Sequence, residues 1–250
     1  MNNKGKFIQI LLFLFYCFSF EVIGEENEII ELTAGFSKPP FVIENNDSYK
    51  GIQLDLITAI FAVENQSVNF IHVPLARSFS SVDKWHSDGT ITLPSTHKEK
   101  NVYISEPYIS YQNVIITLME DNLTIEKLDD LSGKHIIAFQ TARKFLGDTY
   151  SQAIEKAADY QEMADQMKQI ELLFLKRTQV LVLDTSILKH FLFNNREKKY
   201  SKPYKIHRLF APRIYAAGFK NKVIRDQFNR GLLVIKANGK YQEILNKYLL

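Results

Sequence analysis

Residues 89–118 read GTITLPSTHKEKNVYISEPYISYQNVIITL, and their order of polar and apolar residues decides the fold. Residues 90–93 form an apolar run of strand length, and a polar turn carrying Lys98 follows. Ser105-Glu106-Pro107-Tyr108 then makes a corner, because proline cannot donate to a strand ladder. A second apolar run at 114–118 leads into another part of the chain. Parallel α/β sheets bind ligands beyond the carboxyl ends of their strands. Thr92 and Lys98 are therefore expected at a cleft between two lobes, with a crossover just after them.

Upstream, residues 28–35 read as a strand ending at Gly35, and Lys38-Pro39-Pro40-Phe41 forces an extended loop. Phe41 either lines the cleft or caps the edge of the core. Residues 51–63 are the clearest helix, with Leu56, Ile57, Ile60 and Phe61 on one stripe. Asp55, early in that helix, reads as structural. Residues 67–73 are a second strand, and a short helix is expected from Pro74 to Lys84. Arg77 lies where that strand gives way to the helix, a poor place for a cation on dipole grounds. It serves either an anion or a surface carboxylate.

Downstream, residues 128–134 read as a helical turn closed by Gly133, and 136–139 as a buried strand. A helix is expected from Gln140 to about Lys156, so that the first-turn amides near Thr141 and Arg143 can hold an anion. Residues 166–175 are amphipathic. The apolar strand 180–183 ends in Asp184, which either caps the next helix or faces a ligand. The cations of 196–208 (Arg196, Lys198, Lys199, Lys202, Lys205, Arg208) read as a solvated connector, since neither a recognition helix nor an aromatic platform accompanies them. A strand at 215–219 and two helices on either side of Gly239 finish the chain.

The amino terminus bounds the compartment. Lys4 and Lys6 precede an apolar run over 7–20, and Val22-Ile23-Gly24 precedes the acidic Glu25-Glu26. That is the order of a cleavable secretory signal, and the run falls short of the roughly 20 apolar residues of a membrane span. Cleavage after Gly24 would remove Cys17, the only cysteine, so no disulfide is expected. A formal net charge of +3 suits neither DNA nor a membrane surface as partner. The six histidines are scattered and share no metal-ligand spacing. Ser95-Thr96-His97-Lys98 matches Ser-x-x-Lys, but the Ser-Asp-Asn and Lys-Thr-Gly partners of that enzyme motif are missing.

Taken in order, Pro40-Phe41, Gly51-x-x-x-Asp55-Leu56, Ser105-Glu106-Pro107-Tyr108, Leu128-x-x-Leu131-Ser132-Gly133-Lys134, Asp184 and Gly218-Phe219 to Gly239 resemble one family. It is the periplasmic solute-binding proteins of the polar amino-acid uptake systems, family 3. The resemblance implies an α/β chain of the two-lobed periplasmic-binding-protein type II fold. Lobe one would take 25–112 plus 206–250 and lobe two 113–205, with crossovers near Gln112 and Lys205 and the ligand between the lobes. The position of the family's carboxylate-binding arginine falls on Lys98, which keeps the charge without the planar fork. Its carboxylate-binding amides fall at Thr141, and its ammonium-binding aspartate at Asp184. The chain departs from the pattern in two places. The family's glycine in the lobe-two loop is Thr141 or Ala142, and its aromatic beside the Pro-Phe loop is Lys38 or Pro39. Arg77 together with Lys98 would suit a second acidic group.

The function so implied is periplasmic binding of a small anionic or zwitterionic, amino-acid-like solute by lobe closure, for delivery to an ABC permease. Neither cofactor nor nucleic acid is expected, and the protein is expected to be a monomer. A ligand-sensing module for a membrane receptor and a dehydratase-type enzyme on the same fold are the alternatives.

Overall fold

The computed structural model describes residues 29–46, 48–74, 86–194 and 200–249. The expected signal peptide, the helix carrying Arg77, and Arg196, Lys198 and Lys199 lie outside the described residues.

The first sheet is built from β1 (Ile30–Gly35), β4 (Val68–Val73), β5 (Gly89–Pro94), β6 (Tyr103–Ile104), β7 (Ile109–Tyr111) and β13 (Arg213–Phe219), in the order β4-β1-β5-β13-β6 with β7 also on β13. β1 runs parallel to β4 and β5, and β13 runs antiparallel to β5. Between β1 and β4 come a small hairpin, β2 (Ile43–Asn45) with β3 (Ser48–Lys50), and the helix α1 (Ile52–Ala62).

The second sheet holds β8 (Asn113–Leu118), β9 (His135–Phe139), β10 (Asp159–Met163), β11 (Val180–Asp184) and β12 (Tyr204–His207), in the order β10-β9-β11-β8-β12. Its helices are α2 (Ala142–Leu146), α3 (Asp148–Ile154), α4 (Gln166–Phe174) and α5 (Thr185–Asn194). The chain then returns to the first sheet and closes with α6 (Lys222–Ala237) and α7 (Lys240–Leu249). It passes from sheet to sheet at Gln112, between β7 and β8, and again over 208–212, between β12 and β13.

The apolar stripe of α1 is buried as its spacing requires, with Leu56, Ile57, Ile60 and Phe61 inside. Each such side chain contributes about 1.5–3 kcal/mol by leaving water. α6 crosses α1 at Gly231, where a Cβ would stand 2.1 Å from the Ile60 carbonyl oxygen. Asp55 accepts from Lys247 Nζ at 2.7 Å and from the Tyr248 hydroxyl at 2.8 Å, tying α1 to α7. The Ser-Glu-Pro-Tyr corner is pinned to the same sheet: Ala217 N–H donates to Ser105 Oγ, and the Tyr108 hydroxyl donates to the Ile91 carbonyl.

Two expectations need correction. The helix expected over 140–156 is two short ones, because Gly147 between them takes φ 89°, outside the helical range. The connector over 196–208 contains β12, which pairs antiparallel with β8. Tyr204 and Ile206 face one side while Lys205 is exposed, a two-residue alternation hidden among cations. His207 ends that strand and is buried, with Nε2 3.0 Å from Thr117 Oγ1 and Nδ1 2.9 Å from the Ile125 carbonyl oxygen. Among the described residues no helix is long and apolar enough to cross a membrane.

Candidate functional site

A cavity of about 260 Å³ lies between the two sheets. One wall comes from the first sheet and its loops (Gly35 to Lys38, Gln53, Thr92, Tyr111, Tyr215), the other from the second (Phe139 to Thr141, Phe145, Ala164, Gln166). Gly35 and Phe139 are the last residues of β1 and β9, so the cavity opens beyond the carboxyl ends of parallel strands.

The lobe-one wall rests on a buried polar network centred on Gln53. Gln53 Nε2 donates to Thr92 Oγ1 and to the Tyr108 hydroxyl, both at 2.9 Å, and the Tyr111 hydroxyl donates to Gln53 Oε1 at 2.7 Å. Gln53 sits in the first turn of α1 because its amide donates to the Phe41 carbonyl, just past Gly51. Gly51 has φ 137°, and a Cβ there would stand 2.5 Å from that same carbonyl oxygen. Burial pushes the Tyr108 and Tyr111 phenols up, so both remain neutral donors.

The loop after β1 folds on itself, with Lys38 N–H donating to the Val42 carbonyl and the Phe41 and Val42 amides donating to the Lys38 carbonyl. This closure turns the half-buried Lys38 side chain over aromatic rings. Its Nζ is 4.1 Å from the Tyr111 centroid and 5.8 Å from that of Phe41. Burial pulls the Lys38 ammonium down to about 8, while the Asp184 carboxylate acts to hold it up.

Asp184 is buried at the end of β11. Its Oδ1 accepts from the Ser186 amide at 2.7 Å and the Ile187 amide at 3.4 Å, capping α5. Its Oδ2 accepts from the Gln112 amide at 2.7 Å, in the first crossover. Burial pushes this carboxyl up, opposed by Lys38 and by the three amides. Gln112 Nε2 in turn reaches the Phe210 carbonyl at 2.9 Å, so the two crossovers are joined beside Asp184.

The lobe-two wall carries an internal anion. Thr141, at φ 68°, donates its amide to Glu162 Oε2 at 2.7 Å, and Arg143 donates its amide to Glu162 Oε1 at 2.7 Å. The Tyr160 hydroxyl supports the same carboxylate at 2.8 Å. Gln166 brings a buried Oε1 without a hydrogen-bond partner to this wall. Across the cleft, Arg213 of β13 donates to the Phe145 carbonyl of α2.

Of the residues singled out in the sequence, Thr92 and Thr141 line the cavity. Asp184 takes the capping role and acts on the cleft through Lys38. Phe41 is buried against Tyr111 (centroids 4.1 Å apart), which makes it part of the core edge. Lys98 is exposed: the turn after β5, with His97 N–H donating to the Pro94 carbonyl, carries it to a separate depression beside Arg225. Arg143 is exposed, lies 3.7 Å from Glu155 and covers the Tyr160 ring. Arg77 lies outside the described residues. Sequence reasoning missed Gln53, Tyr111, Glu162 and Gln166 as site residues. It singled out Lys38 only as a departure from a pattern. Among the described residues no group of three or more His, Cys, Asp or Glu is placed to hold a metal.

The family model of the bacterial extracellular solute-binding proteins, family 3, matches residues 32–250. The chain belongs to that family. It is 25% identical to the arginine-binding periplasmic protein of Mannheimia haemolytica over 248 residues, 96% of this chain and 97% of the relative. The fold matches a histidine kinase sensor domain with similarity to periplasmic binding proteins, with TM-score 0.71, 18% identity, and 89% and 96% of the two chains covered. It also matches an ancestral arginine-binding protein bound to glutamine, with TM-score 0.68, 19% identity, and 88% and 97% covered. These likenesses place this family-3 chain among the two-lobed type II binding folds, and its relatives are described as binding proteins.

Proposed function

We propose that this family-3 protein binds a small anionic or zwitterionic, amino-acid-like solute in the cleft by lobe closure, for delivery to an ABC permease. It acts in the periplasm as a monomer, after cleavage of residues 1–24, and performs no catalysis. Lobe one is 25–112 plus 213–250 and lobe two is 113–207, joined over 208–212; the division expected near Lys205 would cut β12, which pairs with β8 through His207. The observation that carries this reading is that both sheets line one cavity while the chain between them narrows to Gln112 and 208–212. Two such strands are what hinge closure uses. Arg77, three residues after the cavity-lining Pro74, is the further cation assigned to the ligand.

The likeness to a sensor domain of a histidine kinase favours one second reading, a ligand-sensing module that hands its closed shape to a receptor. Both readings need a ligand. Purified residues 25–250 are screened by thermal shift against amino acids, monocarboxylates, dicarboxylates and amines. A ligand at 100 times its dissociation constant stabilises by about 2.7 kcal/mol. If no compound in any class moves the melting temperature, the binding reading falls. If one does, Arg77→Ala is expected to reduce that shift, and a full shift in the variant removes Arg77 from the site.

A further inference from the structure

We infer that the cleft supplies its own ammonium, Lys38, in place of a ligand's, and that it therefore selects a small carboxylate lacking a free amine over the α-amino acids. This rests on the cleft being the ligand site, as proposed above.

The buried carboxylate behind the cleft and the paired amides beside it are already engaged. Of the roughly four lone-pair sites on the Asp184 carboxylate, the Gln112, Ser186 and Ile187 amides take three. Asp184 is buried and does not line the cavity, whereas Lys38 does, and it acts on the Asp184 charge from there. The Thr141 and Arg143 amides are bound to Glu162, whose Oε1 also accepts from Tyr160. A ligand carboxylate finds those two amides occupied.

Among the described residues, Lys38 is the only charged side chain that lines the cavity. A ligand ammonium would sit near a like charge, and the carboxylate at the lobe-two wall, Glu162, is already engaged by two amides and the Tyr160 hydroxyl. A ligand carboxylate would meet Lys38 Nζ, which is held over Tyr111 and has no hydrogen-bond acceptor among the described residues. The rest of the lining suits an uncharged body: Phe36, Phe139, Phe145 and Tyr215 give apolar surface. The orphaned Gln166 Oε1 on the far wall accepts an N–H or O–H from the ligand.

The test uses matched pairs that differ only in the amine: 3-phenylpropanoate against L-phenylalanine, and 4-carbamoylbutanoate against L-glutamine. Isothermal titration is run on residues 25–250 with all four and with L-arginine. The expected result is that at least one deamino acid binds at least tenfold more tightly than its amino acid. Lys38→Met should weaken that acid at least tenfold, and Lys38→Arg should retain most of the affinity; circular dichroism checks that both variants are folded. Tighter binding of the amino acids, or a folded Lys38→Met with unchanged affinity for the acid, overturns the inference and leaves the binding reading intact. If none of the five binds while the broader screen finds an amine-bearing ligand, the inference also falls. Silence in both assays removes the inference and the binding reading together.

Discussion

Arg213 of β13 and Phe145 of α2 face each other across the cleft, the guanidinium donating to the Phe145 carbonyl and lying 5.0 Å from the Phe145 ring centroid. One side chain of the first sheet thus grips both the backbone and the ring of a helix on the second. A hydrogen bond from a charged donor contributes ~1.5–3 kcal/mol and the stacking adds to it. Arg213→Ala should therefore shift the lobes toward an open arrangement and weaken ligand binding by roughly tenfold or more. Small-angle scattering with and without ligand reads the first effect and titration the second. A variant as compact and as tight-binding as the parent would show the contact to be idle.

The Gln53 network makes a second prediction, on stability. Gln53→Leu leaves the Tyr111 hydroxyl without its acceptor and removes a donor from Thr92 and Tyr108, all buried. Unsatisfied buried polar groups cost ~1–3 kcal/mol each. Denaturant unfolding should register a loss of about 2–4 kcal/mol with an unchanged slope, since the surface exposed on unfolding stays the same. A loss under 0.5 kcal/mol would mean that ordered water replaces the amide.

The fold was legible where periodicity is long and unbroken. α1 shows its stripe in Leu56, Ile57, Ile60 and Phe61, and β5, β9 and β11 are apolar because helices and sheet neighbours cover them. β12 was hidden because its two inward residues, Tyr204 and Ile206, stand among lysines that point to solvent. The site was less legible for a different reason. Whether Thr141 offers its amide depends on Glu162, on a neighbouring strand, and no local pattern reports that pairing. Lys98 matched a position in a motif, but the turn after Pro94 aims it elsewhere. Lys38 was visible as a cation where an aromatic was expected, yet its place over Tyr111 depends on the closed loop from Lys38 to Val42.

His207 gives a third prediction. Burial is the main force lowering its affinity for a proton and Lys205 adds to it, while the Ile125 carbonyl works the other way. The folded-state pKa lies below the unfolded one of about 6.5, so the unfolded chain binds the proton first as pH falls. Stability is then full above about pH 6.5 and declines below it, until the folded pKa is passed. His190 is shifted the same way by burial and by Lys50, so the slope has two sources. Melting temperature should drop between pH 7 and pH 5.5, and His207→Gln should flatten part of that drop. An identical pH slope in the variant would assign the whole effect to His190 and the rest of the chain.

Lys38 gives the last prediction, which depends on the ligand being an anion. Its ammonium sits at about 8 because burial removes water from it, with the Asp184 carboxylate opposing; the neutral Tyr111 and Phe41 rings are its other neighbours. An anionic ligand pairs with the protonated form, so its affinity should hold steady from pH 6 to 7. Above about 8 it should fall, approaching tenfold per pH unit, as the free site loses its proton. Binding should also take up protons at pH 8, because the ligand's negative charge raises the lysine's pKa in the complex. Titration in two buffers of different ionisation enthalpy measures that uptake directly. Lys38→Arg keeps its charge across this range and should abolish both the fall and the proton uptake. If the parent and Lys38→Arg follow one pH curve, Lys38 is not the group that meets the ligand's charge.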